Sequence, residues 1–211
     1  MNFNLVRTLE FLPGIILGLT VHEFSHALIA RKCGDYTSSN QGRVTLNPLK
    51  HIDLLGFIML LVAGFGWAKP VQFNEQNLRN PKTDVLKIAV AGPLSNALLA
   101  MFLSVLFAVI LKFGHVSAYS AVSNIFLYAI YINWGLLIFN LIPLPPLDGS
   151  HLVFHWFKKY PAIYEKLYKY GSFALFGIIL LSIVGNVNLL PITSAMGFLG
   201  NGFLKLLGLN F

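Results

Sequence analysis

His22-Glu23-Phe24-Ser25-His26 interrupts an apolar run that extends from Phe11 to Ala30. That run is about twenty residues at 1.5 Å each, enough to cross a hydrocarbon core of ~30 Å. A simple membrane span would carry no ionisable group, because a charge at the bilayer centre costs about 2.5–3.5 kcal/mol on insertion scales. Three such groups in five residues therefore need a physical reason. Helical residues four apart share a face, so His22 and His26 reach one point together. Glu23 stands one step round the helix from them.

The rest of the chain places this stretch in a membrane. Of 211 residues, 56% are hydrophobic and 11% charged, against about 25% charged in soluble domains. The net charge of +7 does not indicate nucleic acid, because the basic residues flank apolar segments and form no stripe. One cysteine, Cys33, excludes an intrachain disulfide and a thiolate metal cluster. The first apolar segment carries the motif, so no separate cleaved leader is expected.

Further long apolar runs cover about Val85–Leu111, Ala121–Ile142 and Gly171–Leu190. Gly14 and Gly18 form a G-x-x-x-G pair that admits a neighbouring helix. Gly92, Asn96, Ala100 and Ser104, four apart, make one small, partly polar face that should pack on another helix. Leu54–Trp67 is apolar but only fourteen residues long, which suits a re-entrant segment better than a crossing. Arg43–Asn47 alternates polar and apolar residues before Pro48. It reads either as a short strand whose edge could pair with substrate or as a plain loop hairpin. The tail, Met196–Phe211, is apolar and glycine-rich. The expected fold is an all-α polytopic bundle of about four to six transmembrane segments, with a short re-entrant or β-hairpin element, in one domain over 1–211.

If Leu54–Trp67 is re-entrant, twelve Lys and Arg residues fall on one side: Arg31, Lys32, Arg43, Lys50, Lys69, Arg79, Lys82, Lys87 and lysines 158, 159, 166 and 169. Only Arg7, Lys112 and Lys205 fall on the other. The excess marks the first side as cytoplasmic. His26 lies five residues before Arg31, ~7–8 Å along the helix, so the site should open toward that side.

Two histidines are one protein ligand short of a catalytic zinc site. Among the eight acidic residues, Glu10, Glu23 and Asp148 are the candidates for the third ligand. Glu10 is about three turns away, and Glu23 points off the His pair. Asp148 follows Pro143-Leu144-Pro145-Pro146, where three prolines end the helix and leave irregular backbone. His22, His26 and Asp148 are thus the expected ligands of one Zn2+. Glu23 is the expected base, with Asn140 a candidate to hold an oxyanion. Asn96, Arg43, Val44 and Thr45 are further candidates for substrate or oxyanion contact. His151 and His155 form a second pair four apart without an intervening glutamate, which reads as a helix face. His51 reads as a structural hydrogen bonder and His115 as a loop residue.

His22-Glu23-Phe24-Ser25-His26-Ala27, Ala91-Gly92-Pro93-Leu94-Ser95-Asn96 and the stretch from Asn140 to Asp148-Gly149 together resemble the site-2 protease family of intramembrane zinc metalloproteases. Gly42–Asp53 and Trp67-Ala68-Lys69-Pro70-Val71 are similar to its compact prokaryotic branch. The resemblance covers roughly residues 14 to 155. It implies the same three ligands, the same base and an Asn140 close to the active site. It also implies a transmembrane protein as substrate, the bilayer as surroundings and a prokaryotic cell membrane as location. Leu54, Gln72 and Ser150 depart from the pattern without touching a ligand. No room is expected for PDZ or nucleotide-sensing domains, and nothing in the residues specifies an oligomer. A metal transporter or a silent binding scaffold are the alternatives. The first lacks a chain of ligands across the membrane, and the intact Glu23 argues against the second.

Overall fold

The computed structural model describes residues 5–63, 66–114, 117–118, 120–154, 157, 159–185 and 190–209. Three long helices form the centre: α1 (Leu5–Lys32), α4 (Pro81–Phe113) and α5 (Ala121–Asn140). Among the described residues these three are long and apolar enough to cross a membrane. Each packs against the other two. The chain is a multi-pass membrane protein, and its burial pattern says the same. On α4, Gly92, Asn96, Ala100 and Ser104 are buried while Leu94, Leu98, Phe102, Val105 and Val109 are exposed. Lipid replaces water around such a bundle, so apolar residues turn outward and the small polar face turns in.

Close helix approach depends on missing side chains. A Cβ on Gly14 would lie 2.6 Å from Ala129 Cα, and one on Gly18 2.8 Å from Leu136 Cδ1. The G-x-x-x-G pair is therefore the seat of α5. The C-terminal α8 (Ile192–Leu206) packs on the outer end of the same bundle. Leu204 joins Ala97, Phe107, Ile130 and Trp134 in the main apolar cluster, and Tyr131 Oη donates to Asn201 Oδ1. The apolar tail is thus largely a helix built into the core.

α7 (Pro161–Val184) starts ten residues before the apolar run read from the sequence. Pro161 at its first position is preorganised for a helical start, so Glu165, Lys166 and Lys169 ride on its first turns. The expected continuation to Leu190 passes through residues 186–189, outside the described residues, as do His115, His155 and Lys158.

The short apolar segment turns back. α3 (Leu54–Ala63) has ten residues, ~15 Å of rise and half the hydrocarbon thickness. Ile52 and Ala68 pair as an antiparallel bridge, and Lys69 N–H donates to the His51 carbonyl at 2.8 Å. The two ends lie side by side, so the segment leaves and returns on one face.

Arg43–Asn47 forms no strand; its polar groups bond locally. Arg43 N–H donates to the Ser38 carbonyl at 3.0 Å, and Asn47 N–H to Thr45 Oγ1 at 3.2 Å. The Thr45 carbonyl accepts from His51 Nε2 at 2.8 Å. Asn47 Oδ1 accepts from Leu49 N–H and caps the turn Pro48–Lys50. Alternation predicted a ladder, but capping and turn chemistry took those groups first.

Asp35, fully buried beside α2 (Thr37–Asn40), pins this loop region to the end of α1. Its Oδ1 accepts from Thr37 N–H, Thr37 Oγ1 and Asn77 Nδ2 at 2.6–3.1 Å, and its Oδ2 from Asn74 N–H at 2.9 Å. Burial pushes this carboxyl's pKa up, but the four donors outweigh it and hold it below the ordinary value. With the folded pKa below the unfolded ~3.9, its stabilisation is complete above that pH and fades as pH falls through the folded value. Asp35→Ala should cost about 3 kcal/mol in thermal or denaturant unfolding. It should also remove part of the wild type's loss of stability below about pH 4.

Candidate active site

His22 and His26 sit on the inner face of α1, 4% and 7% exposed. Their Nε2 atoms face each other at 3.0 Å. Asp148, first residue of α6 (Asp148–Phe154), brings Oδ2 to 3.1 Å from His22 Nε2 and 3.2 Å from His26 Nε2. The sequence places Asp148 more than a hundred residues away, so its delivery depends on the broken backbone before it. Residues 141–147 are turns and bends. A Cβ on Gly149 would lie 2.6 Å from the Ile142 carbonyl oxygen, so only glycine lets the chain double back this tightly.

Partners behind the rings decide what these three atoms are. His26 Nδ1 lies 2.7 Å from the Ile88 carbonyl, which can only accept. His22 Nδ1 lies 2.7 Å from Asn96 Oδ1. Asn96 Nδ2 donates to the Gly18 carbonyl at 3.0 Å and to Asn133 Oδ1 at 2.8 Å, while Asn133 Nδ2 donates to the Ala129 carbonyl at 2.8 Å. Two backbone carbonyls thus fix both amide orientations. Both imidazoles carry their hydrogen on Nδ1, and both Nε2 atoms present lone pairs. Asp148 Oδ2 has no hydrogen-bond partner. With both rings neutral, three acceptors converge with nothing to donate between them, an arrangement that a bound cation satisfies.

Zinc fits the arrangement. Around a tetrahedral ion with bonds of ~2.0–2.1 Å, ligand atoms stand about 3.3 Å apart, close to the 3.0–3.2 Å edges seen here. Room for the ion comes from α4. A Cβ at Gly92 would lie 2.6 Å from His22 Nε2 and would strike His26 Nε2.

Glu23 faces the same space, 8% exposed. Its Oε2 accepts from Val71 N–H at 2.8 Å and lies 3.8 Å from an Arg43 guanidinium nitrogen. Two cavities meet here, both lined by His22, Glu23, Pro70, Asn140 and Pro146. The larger, about 450 Å³, continues between apolar side chains such as Leu19, Trp67, Phe139, Leu175 and Phe176. The other, about 310 Å³, opens past His26, Asp148, His151 and Tyr168.

The remaining candidates separate. Asn140 lines both cavities, with one Nδ2 hydrogen given to the Leu136 carbonyl at 2.9 Å. Asn96 is fully buried behind His22, with its amide bonded on both sides, so it orients the His22 ring and lines neither cavity. Arg43 is buried under the loop, and Val44 and Thr45 line neither cavity. His51 Nε2 is bonded to the Thr45 carbonyl. The His151 ring lies tilted against Phe73, with centroids 5.9 Å apart, while its partner at 155 lies outside the described residues. Sequence reasoning missed Asn133 as a supporting residue. The only signal was an amide inside an apolar span, with no indication of what it would meet.

Gly92→Ala should raise helix propensity by about 1 kcal/mol yet abolish zinc binding, measured as metal per chain after chelator challenge. Asn133→Leu, near in volume, should weaken zinc affinity by roughly 10–100-fold through Asn96 and His22, read by competition with a chromogenic chelator.

Residues 108–182 match the model of peptidase family M50. The chain is 42% identical over 142 residues to a Bacillus subtilis protein named "Putative zinc metalloprotease YwhC", covering 66% of this chain and 65% of that one. It is 31% identical over 153 residues to "Putative zinc metalloprotease MJ0611" of Methanocaldococcus jannaschii, covering 72% and 73%. Against "Putative zinc metalloprotease Rip2" of Mycolicibacterium smegmatis it is 30% identical over 143 residues, covering 65% and 53%. The chain therefore spans less than two thirds of the Bacillus and Mycolicibacterium proteins. No solved structure matches significantly. By the extent of its match to the archaeal relative, and by the residues that build its site, the chain belongs to peptidase family M50, the site-2 protease family its motifs resemble.

Proposed function

We propose that this chain is a single integral-membrane metalloprotease domain that hydrolyses a peptide bond in or near a transmembrane helix of a membrane-protein substrate. The observation that carries this reading is the convergence of His22 Nε2, His26 Nε2 and Asp148 Oδ2 with a carboxylate, Glu23, beside them at the junction of two cavities. The metalloprotease names of the relatives support it.

His22, His26 and Asp148 would hold zinc, whose Lewis acidity polarises a peptide carbonyl and acidifies water. Glu23 acts on protons. With Oε2 held by Val71 N–H, Oε1 takes one proton from the attacking water as its oxygen adds to the carbonyl carbon. The same proton passes to the amide nitrogen as the C–N bond breaks, so an amine and a carboxylic acid leave and Glu23 is restored. Asn140 has a second Nδ2 hydrogen to offer the carbonyl oxygen, where negative charge develops.

A helical segment keeps its carbonyls in its own hydrogen bonds, so the substrate that reaches the apolar cavity is locally unwound. Its backbone carbonyls are then open to attack. The twelve-to-three bias in basic residues supports a site that opens to the cytoplasm. The bacterial and archaeal relatives support a prokaryotic cell membrane as its location.

A test compares purified wild type, Glu23→Gln and Asp148→Asn on single-span helical substrates, with zinc content measured in parallel. Glu23→Gln should keep zinc and lose at least 10²-fold, up to about 10⁴-fold, in cleavage rate. Asp148→Asn should lose most zinc and cleavage together. Zinc flux into liposomes that survives Glu23→Gln would sink the protease reading in favour of a transporter, and bound zinc without cleavage would leave a scaffold.

A further inference from the structure

The loop after the re-entrant segment, residues 66–73, lies over the site and supplies the Val71 N–H that holds Glu23. Residues 69–73 belong to no regular element, so this stretch needs an anchor to hold a hydrogen bond in register. Its backbone contacts include the Ile52–Ala68 bridge and Lys69 N–H to the His51 carbonyl. Beyond Lys69, the chain is held by side chains: Phe73 packs on the cluster of Ala30, Val85 and Ile88, Asp35 Oδ2 accepts from Asn74 N–H, and Arg43 reaches the part nearest Val71. The Arg43 guanidinium donates through Nη2 to the Lys69 carbonyl, two residues before Val71. Arg43 is 3% exposed and reaches this point from outside the described cavities.

Burying a guanidinium is expensive, and the surroundings compensate only in part. Its Nε has no hydrogen-bond partner, and burial pushes its pKa down while Glu23 draws it back up. A purely structural tie to one carbonyl does not require a full cation at this depth. Its placement has a second consequence: the same nitrogen that bonds the Lys69 carbonyl lies 3.8 Å from Glu23 Oε2. One group thus holds the loop that orients Glu23 and also favours Glu23's orientation electrostatically. Both act on Oε2, away from Oε1.

We propose that Arg43 is a positioning residue for Glu23, a latch that holds the 66–73 loop closed over the site so that Val71 N–H fixes one carboxylate oxygen. This rests on the protease reading for its effect on catalysis but not for the latch itself. A misplacement of about 1 Å at a reacting group costs roughly 100-fold in rate, so losing the latch should lower kcat by 10–100-fold. KM should not change, because Arg43 does not line the cavity.

Two measurements on the full chain in nanodiscs test it. The first needs no activity: a nitroxide on Lys69→Cys in a Cys33→Ala background should become markedly more mobile on Arg43→Gln. Zinc per chain should stay unchanged. The second uses a fluorogenic single-span Leu/Ala peptide with a central Asn-Pro pair, with Glu23→Gln as the blank. Arg43→Gln should lose 10–100-fold in kcat at constant KM, Arg43→Lys should lose less, and methylguanidinium should restore part of the rate to Arg43→Ala. An unchanged nitroxide spectrum overturns the latch whatever the activity. A raised KM with kcat intact would make Arg43 a substrate contact, and loss of zinc would make it a fold determinant; either overturns the proposal. If wild type cleaves no better than Glu23→Gln, the protease reading fails on this peptide, while the nitroxide spectrum still decides the latch.

Discussion

Three lone-pair atoms, His22 Nε2, His26 Nε2 and Asp148 Oδ2, stand 3.0–3.2 Å apart with no proton donor among them. Left alone they would repel, and in a bundle surrounded by lipid there is little water to screen them. A cation between them would relieve this, and the structure keeps the two rings from swinging apart. Each ring is tied behind its Nδ1, to the Ile88 carbonyl or to Asn96, and neither can turn without leaving a buried donor unpaired, at ~1–3 kcal/mol. The architecture around the site serves to impose this geometry.

The constraint spreads through all three central helices. α1 supplies the rings, α4 the Ile88 carbonyl, Asn96 and the gap at Gly92, and α5 the Asn133 amide that keeps Asn96 from flipping. The small residues that bring the helices together are the same ones that let these bonds form. A Cβ on Gly18 would lie 2.9 Å from Asn133 Oδ1, the atom that receives the Asn96 hydrogen bond. Packing and site assembly are one requirement at this depth, because helices in lipid gain little from apolar burial and associate through close contact and polar bonds. Small-residue faces in this chain therefore carry catalytic information as well as structural information.

Legibility in the sequence follows the range of each interaction. The His22–His26 pair, the small face of α4 and the break before Asp148 are set by helical period and proline chemistry within a few residues, and all were readable. The turned-back segment was readable from its length, since the fourteen apolar residues of Leu54–Trp67 fall short of a full crossing. Arg43–Asn47 misled because alternation is a weak cue where Asn, Thr and His can close local hydrogen bonds instead. Asn133 and Arg43 were not legible in their actual roles. Each acts on a group far along the chain, Asn133 through Asn96 and Arg43 through the Lys69 carbonyl. Nothing local to either says which residue it will meet. α7 began early because Pro161 starts a helix regardless of the charges that follow.

Glu23 differs from the ligands in how it is held. The imidazoles are tied by side chains and carbonyls of packed helices, whereas Glu23 depends on the backbone N–H of Val71 in a stretch without regular structure. Loops of this kind occupy the low end of local stability, where opening costs far less than global unfolding. The three converging acceptors are thus set by the bundle, and the Glu23 carboxylate by a loop. The apolar cavity runs beside that loop, past Trp67, Ala68 and Pro70. For the membrane protease proposed above, this division has a physical advantage. The three converging acceptors, which would hold a cation, are tied into packed helices. The loop beside the apolar cavity is the part that places the carboxylate.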